Sequence, residues 1–340
     1  MSTALLELAG LGLHPGRLGE LLTRWGSAER TVAAIRGGRV DGVDAGSIVP
    51  ADTLLGRLER CGARPVFLGE PGYPEALAAI EDPPPTLFVR GTIPGGPAVA
   101  VVGTRRATAY GRALARAFGA AVADAGWVLV SGLARGIDGE AHRGSLHRAG
   151  AGIGVLGCGP DVVYPREHGD IADDLIAGGA VVSEYPPGAA PLAWRFPPRN
   201  RIISGLAGAV VVVEAGVAGG ALVTAARAVA QGREVFAVPG DVDRETSVGC
   251  NLLIRDGAVP VLGASDLVEA LSLVLGPPRS APSADDLPSA GISLDALAVR
   301  LGLEGSSFAT WLGRMRLAGR IRVVGDRVHP QDPARRGTNG

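Results

Sequence analysis

Apolar positions along the first sixty residues fall in short helical periods, at 5–8, 18–25, 31–35 and 53–61, separated by glycines such as Gly10, Gly12, Gly16 and Gly19. Pro15 stands where a helix would start, a position that tolerates its missing N–H. A small helical module of the SAM-like or helix-hairpin-helix type is predicted over 1–65. A turn-rich bridge follows, through Pro71, Pro74 and Pro83-Pro84-Pro85. The pattern then changes to short runs rich in valine, isoleucine and alanine at 98–103, 127–131, 152–156, 180–183, 209–214 and 234–238. Between them lie helical patterns at 110–125, 137–149, 170–177 and 221–231. Short buried runs alternating with helices predict an α/β unit over 66–275, an extended Rossmann-like fold with a mainly parallel sheet, because right-handed crossovers leave few other arrangements.

Beyond this unit the periodicity stops. Residues 276–290 (GPPRSAPSADDLPSA) are rich in proline, serine and alanine and read as a linker. From 291 to 330 the order helix (294–301), helix (306–318), strand (321–324), strand (327–329) predicts a winged-helix-like domain, and 331–340 reads as a disordered tail.

Composition narrows the function more than the fold. Of 340 residues, 46% are hydrophobic and 20% charged, the balance of a soluble globular protein. Net charge is −1, so a polyanion would have to be met by local clustering rather than by an overall basic field. All 33 basic residues are arginine. Each phosphate contact would therefore use a planar fork, able to take two oxygens and to stack on bases. The three cysteines, Cys61, Cys158 and Cys250, show no CxxC spacing and leave one unpaired in any disulfide scheme, which fits the reducing cytoplasm. No basic n-region precedes the N-terminal apolar residues and no run of eighteen apolar residues follows, so neither a signal peptide nor a membrane contact is expected.

In an open parallel sheet, ligands sit beyond the carboxyl ends of the strands. The residues after each run are therefore the informative ones. The first is Gly103-Thr104-Arg105-Arg106, where glycine permits close backbone approach, the hydroxyl can cap, and two cationic forks stand at a helix N-terminus. By itself this loop reads equally as a plain strand-to-helix turn with solvated arginines. The second loop is Gly132-Leu133-Ala134-Arg135-Gly136. Later come Arg199-Asn200-Arg201, two arginines opening a short apolar helix, and Gly219-Gly220 with Thr224, a glycine pair suited to a phosphate nest. Arginines at a helix N-terminus oppose the macrodipole, and a neutralising anionic ligand is expected beside Arg199 and Arg201.

The absences exclude several reaction classes. Neither Gly103-Thr104-Arg105 nor Gly157-Cys158-Gly159 completes a GxGxxG fingerprint, and without lysine there is no ordinary Walker loop, so no nucleotide cofactor is expected. His14, His142, His147, His168 and His329 form no metal pattern with one another or with the cysteines, so no metal is expected. Cys158 reads as a small residue at a strand end rather than a nucleophile. Aromatic residues make up 4% of the chain, which limits base stacking to residues such as Tyr110 or Phe196.

Read in order, these segments resemble the DNA-processing protein A (DprA/Smf) family. The resemblance runs from about residue 73 to 263. It is carried by Tyr73-Pro74, Asp82-Pro83-Pro84, Val102-Gly103-Thr104-Arg105, Ser131-Gly132-Leu133-Ala134-Arg135-Gly136-Ile137-Asp138 and Leu156-Gly157-Cys158-Gly159 with Val163-Tyr164-Pro165. It continues through Arg199-Asn200-Arg201-Ile202-Ile203-Ser204-Gly205-Leu206, Gly232-Arg233-Glu234-Val235-Phe236-Ala237-Val238-Pro239-Gly240 and Asn251-Leu252-Leu253-Ile254-Arg255-Asp256-Gly257-Ala258. The resemblance implies a homodimer formed through the Rossmann-like domain that binds single-stranded DNA, catalyses no reaction and helps load the recombinase RecA during natural transformation. It places DNA contacts on Gly103, Thr104, Arg105, Arg199, Asn200 and Arg201. Thr104 replaces a common serine and keeps its hydroxyl, whereas Pro198 stands where many relatives carry a basic residue, so Arg105 with Arg106 would take up that contact.

Two rivals remain on the sequence. Related Rossmann-like hydrolases cleave nucleoside monophosphates with a glycine pair, a threonine and a helix-borne glutamate; here Gly219-Gly220 and Thr224 are followed by Ala225-Ala226-Arg227, with no carboxylate. A duplex-DNA regulator would instead use the C-terminal domain, where Arg314, Arg316, Arg320 and Arg322 cluster.

Overall fold

The computed structural model describes residues 2–148, 150–278, 287–288, 290–301, 305–317 and 320–331. Most of the expected linker at 276–290, and all of the expected tail after its first residue, lie outside the described residues.

The chain opens with four helices, α1 (Thr3–Gly10), α2 (Pro15–Trp25), α3 (Ala28–Arg36) and α4 (Ala51–Arg60). Their starts are marked by capping chemistry: Ser2 accepts from the Leu5 amide, Ser27 from Arg30, and Pro15 occupies the first turn of α2. Gly26 closes α2 at φ +76°, a left-handed conformation that glycine adopts without the cost borne by other residues. These helices do not stand apart. Leu6, Leu54 and Leu58 pack with Phe67 and Phe88 from two strands that the sequence pattern did not predict, β1 (Ala63–Phe67) and β2 (Thr86–Gly91). The expected boundary at 65/66 falls inside β1. The proline-rich bridge hid these strands, because Pro65 interrupts β1 and Pro83-Pro84-Pro85 stand directly before β2.

The central sheet has nine strands in the order β1-β2-β6-β5-β4-β3-β7-β8-β9. The six runs read from sequence are its middle: β3 (Ala98–Val102), β4 (Val128–Ser131), β5 (Gly152–Leu156), β6 (Ala180–Ser183), β7 (Ala209–Val212) and β8 (Glu234–Ala237), all mutually parallel. β1 and β2 extend one edge antiparallel, and β9 (Val259–Pro260) adds a short parallel edge. The alternation of side chains sorts the core into two layers. Ala98, Ala100, Val102, Val128, Val130, Val210 and Val212 face α5 (Glu75–Ala78), α9 (Phe196–Leu206), α10 (Gly220–Ala230) and Cys250 of α11 (Glu245–Arg255). Val99, Val101, Leu129, Ala209 and Val211 face α6 (Ala109–Asp124), α7 (Ile137–His147) and α12 (Ala264–Leu275), and α8 (Gly169–Gly178) covers the same face beyond them.

The C-terminal unit pairs β10 (Ile292–Ser293), β12 (Arg327–Pro330) and β11 (Ile321–Val324) in one small antiparallel sheet against α13 (Leu294–Leu301) and α14 (Gly305–Leu317), a winged-helix-like order. Among the described residues no helix is long and apolar enough to cross a membrane.

α6 and α7 approach so closely that their glycines cannot be replaced. A Cβ on Gly119 would lie 2.0 Å from the Ala141 carbonyl oxygen, and one on Gly144 would lie 2.0 Å from that of Arg116. Both obstacles are backbone, so the helices would have to separate. Gly119→Ala or Gly144→Ala is expected to lower stability by about 1–3 kcal/mol, whereas Gly19→Ala, which meets nothing within 4 Å on α2, raises it by about 0.5–1 kcal/mol. Urea midpoints of the three variants check the contrast; equal midpoints would refute the close-packing argument.

Candidate nucleic-acid interface

β3 is the strand from which the connections depart in opposite directions: β4 lies on one side and β7 on the other. The loops after β3 and β7 therefore flank the crevice where such sheets bind ligands. Here the crevice is tied shut by a side chain of the chain itself. Glu214, buried just after β7, accepts hydrogen bonds from the Thr108 amide at 2.9 Å and the Thr108 hydroxyl at 2.5 Å. Its carboxylate sits on the N-terminus of α6; a Cβ on Gly111 would lie 2.2 Å from it. The Glu214 carbonyl also accepts from the Thr104 amide at 2.7 Å. One residue thus fixes both ends of the Gly103–Thr108 loop, and its charge is matched to the positive end of the helix.

Between those ends the loop turns outward. The Arg106 amide donates to the Thr104 hydroxyl at 3.2 Å, closing a local turn, and the side chains of Arg105 and Arg106 are exposed. The Arg105 guanidinium lies 5.4 Å from the centroid of the Phe196 ring at the start of α9, and Phe196 packs against the exposed Tyr164 at 5.5 Å. The loop after β4 locks into the same place. The Ile137 amide donates to the Thr104 carbonyl at 3.3 Å, and a Cβ on Gly136 would lie 2.3 Å from that oxygen. Leu133, in this second loop, is a non-glycine residue at φ +54°, held there while 98% buried among Leu156, Ile171 and Leu175. The Arg135 side chain leaves the cluster for Glu167, with which it forms an exposed ion pair.

Arg199 and Arg201 do not present free forks. Arg199 is 4% exposed and donates from Nη1 to the carbonyls of Gly132 (2.8 Å) and Val155. Asp138, whose carboxylate also accepts from the Gly132 amide at 3.1 Å, supplies the opposing charge nearby. Burial draws the Arg199 guanidinium down to about 10, so it keeps its proton at neutral pH, and burial holds the Asp138 carboxyl above its ordinary range. Arg201 is 3% exposed; it meets both oxygens of Glu184 (2.8 and 2.6 Å) and, through Nε, the Asp82 carbonyl at 2.9 Å. The expectation that a bound anion neutralises these arginines is corrected: the anions are Asp138, Glu184 and Asp82. Sequence separation hides such pairs, since Asp82 and Arg201 lie 119 residues apart.

Asn200 and the glycine pair come together. The Asn200 amide donates to the Gly220 carbonyl at 3.1 Å, as does the Thr224 hydroxyl at 3.0 Å. Gly219 and Gly220 are exposed, and α10 starts without a side-chain cap, leaving first-turn amides open to an anion. Of the remaining sequence candidates, Tyr110 is exposed, His142 is fully buried, and burial pushes the Cys158 thiol up to about 12, which keeps it protonated.

Fold and loops define an extended Rossmann-like protein whose first phosphate cradle is filled from within and whose cationic groups ring the strand ends. The chain belongs to the DNA-processing protein A (DprA/Smf) family: the family model described as DNA recombination-mediator protein A matches residues 64–272. It is 41% identical to protein Smf of Escherichia coli over 273 residues, covering 74% of this chain and 73% of that protein. It is also 41% identical to DprA of Bacillus subtilis over 221 residues, covering 64% and 74%. The crystal structure of DprA from Streptococcus pneumoniae superposes with a TM-score of 0.68 at 32% identity, covering 79% of this chain and 98% of that one. DNA processing protein A from Helicobacter pylori, whose structure describes a single-stranded DNA binding mode, gives 0.56 at 26% identity, covering 61% and 95%.

The burial of Arg201 makes it a framework residue. Arg201→Ala leaves Glu184 buried without its partner and is expected to cost about 3–5 kcal/mol, while Arg105→Ala, at an exposed position, changes stability by about 0.5 kcal/mol or less. Chemical denaturation of both variants checks this, and equal losses would show that Arg201 is not structural.

Proposed function

We propose that this protein binds single-stranded DNA along the carboxyl edge of its sheet, with little sequence preference and without catalysing a reaction. The observation that carries the reading is the Gly103–Thr108 loop: its ends are pinned by Glu214, while Arg105 and Arg106 project outward beside Phe196. Gly103 and Thr104 shape that turn. Gly132, beneath it, holds Arg199 through its carbonyl, and Arg135 lies at the margin. Asn200 orients the start of α10, where the amides of Gly219 and Gly220 offer a second phosphate contact, with Thr224 bracing the turn. Arg199 and Arg201 act from below, as the charged framework that holds these loops in register.

A mononucleotide-cleaving site is the poorer fit, because the helix that opens at Gly219-Gly220 and holds Thr224 carries no carboxylate, and Glu214 is engaged at the N-terminus of α6. Glu184, the other buried carboxylate of the region, is taken by Arg201, so neither is placed as a base for water attack. A flexible strand can lay successive phosphates across separated loops, which a stiff duplex cannot do. The family's description as a recombination mediator supports a cytoplasmic role in which a homodimer, joined through the Rossmann-like domain, passes the strand to RecA during transformation.

Arg105→Ala and Arg106→Ala are each expected to weaken binding to an oligothymidine and to flatten the dependence of log affinity on log salt by about 0.7 per lost phosphate contact. Fluorescence anisotropy across a salt series reads both quantities. If neither variant changes affinity or slope while both stay folded, the loop is not the binding site.

A further inference from the structure

The loop between β6 and α9 carries an aromatic cluster that none of the contacts above uses. Trp194 stands in a single 3-10 turn (Ala193–Arg195) immediately before α9 and is 40% exposed. The Arg195 guanidinium lies over two rings, 4.9 Å from Trp194 and 4.8 Å from the buried Tyr185, and donates from Nη1 to the Ala190 carbonyl at 2.7 Å. Tyr185 meets the indole edge-on at 5.9 Å. From the helical N-terminal unit His14, the N-cap of α2, brings its exposed ring to 5.8 Å from Trp194. Gly12 comes equally near; a Cβ there would lie 3.3 Å from Nη2 of Arg195.

Two physical points bear on this arrangement. A large indole left two-fifths in water, although Tyr185 beneath it is 99% buried, is held at the surface by its neighbours rather than tucked into the core. A stacked arginine beside it adds a cation whose plane is also a surface for a nucleobase. Trp194 precedes Phe196 by two residues, at most about 7 Å along the chain, so both rings lie within reach of neighbouring nucleotides of one strand. Sequence-tolerant strand binding combines cationic loops with such aromatic platforms, because every base has a π-face.

We infer that Trp194, with Arg195 and His14, forms a base-stacking subsite that continues the strand path from the Arg105–Phe196 loop onto the seam with the N-terminal helical unit. The inference rests on the single-strand reading above. It gives the N-terminal unit a direct part in binding: His14 supports the platform, and the path needs more nucleotides than the sheet edge alone would hold.

The test uses the full chain and oligothymidines of increasing length. Trp194→Ala is expected to reduce affinity for the longer oligomers by between about fivefold and a hundredfold, with the salt slope unchanged because no phosphate contact is lost. Trp194→Phe should restore most of it. His14→Ala should give a smaller loss in the same direction. Trp194 emission, obtained as the difference between wild type and Trp194→Phe, should be quenched by saturating oligothymidine, while the 1% exposed Trp127 stays unaffected. Wild-type affinity in Trp194→Ala, or unquenched Trp194 emission under conditions where anisotropy shows full binding, would overturn the subsite and leave the single-strand reading standing. Altered self-association of Trp194→Ala with unchanged DNA affinity would reassign the patch to a protein contact and equally overturn it. Absence of any binding by the wild-type protein would remove both readings together.

Discussion

The Glu214 carboxylate on the N-terminus of α6 is the contact on which the rest of the site depends. In a dinucleotide-binding sheet the same place receives a pyrophosphate, held by backbone amides and the helix dipole. Here the Glu214 side chain, from the neighbouring β7 loop, occupies that place. Because the carboxylate also binds the Thr108 hydroxyl and the Glu214 carbonyl binds the Thr104 amide, filling the cradle and fixing the β3 loop are one event. A buried carboxylate at a helix start contributes up to about 2 kcal/mol. The larger effect is geometric: the loop has no freedom to close over a small ligand, and what it can offer a polyanion lies outside, on Arg105 and Arg106.

The same logic divides the arginines by depth. Those that open α9 are turned inward, Arg199 onto the carbonyls of Gly132 and Val155 and Arg201 onto the Glu184 carboxylate, so their charge organises the ends of β4, β5 and β6. Burying charge is costly unless every donor finds a partner. The cost is met by linking elements far apart in sequence: Arg201 connects α9 to Glu184 after β6 and to Asp82 before β2. Arg105 and Arg106 are exposed and stand above this framework. A buried charged base under an exposed cationic rim suits a ligand whose backbone is regular and whose bases differ.

How far the sequence could be read follows from this division. The six parallel strands and their helices were legible because valine-rich runs bounded by glycine have few other uses, and both layers of the core follow from simple alternation. β1 and β2 were not legible, since Pro65 breaks the first, Pro83-Pro84-Pro85 stand directly before the second, and one of their faces, with Phe67 and Phe88, is buried by the N-terminal helices. At the site, the position of each loop at a strand end was legible. The orientation of Arg199 and Arg201 was not. A charged pair at a helix start looks the same whether its partner is a ligand or a carboxylate brought from a distant part of the fold, and only tertiary structure distinguishes them. Glu214 was visible as a residue but not as a cap, because no local spacing ties it to Thr108.

The absence of lysine sharpens the distinction between composition and need. At an exposed position such as Arg105 or Arg106, an ammonium could meet a phosphate as a point charge, so arginine there is consistent with a chain-wide bias. At Arg201 it could not. Nε, Nη1 and Nη2 point to Asp82 and to both oxygens of Glu184, a planar fork spanning two acidic residues. Arg199 likewise joins the ends of two neighbouring strands through one Nη1, shared between the carbonyls of Gly132 and Val155. A lysine at position 201 would leave a buried acceptor unpaired, at about 1–3 kcal/mol. Arg201 is therefore the arginine whose identity the fold demands. The exposed Arg105 and Arg106 carry no such demand.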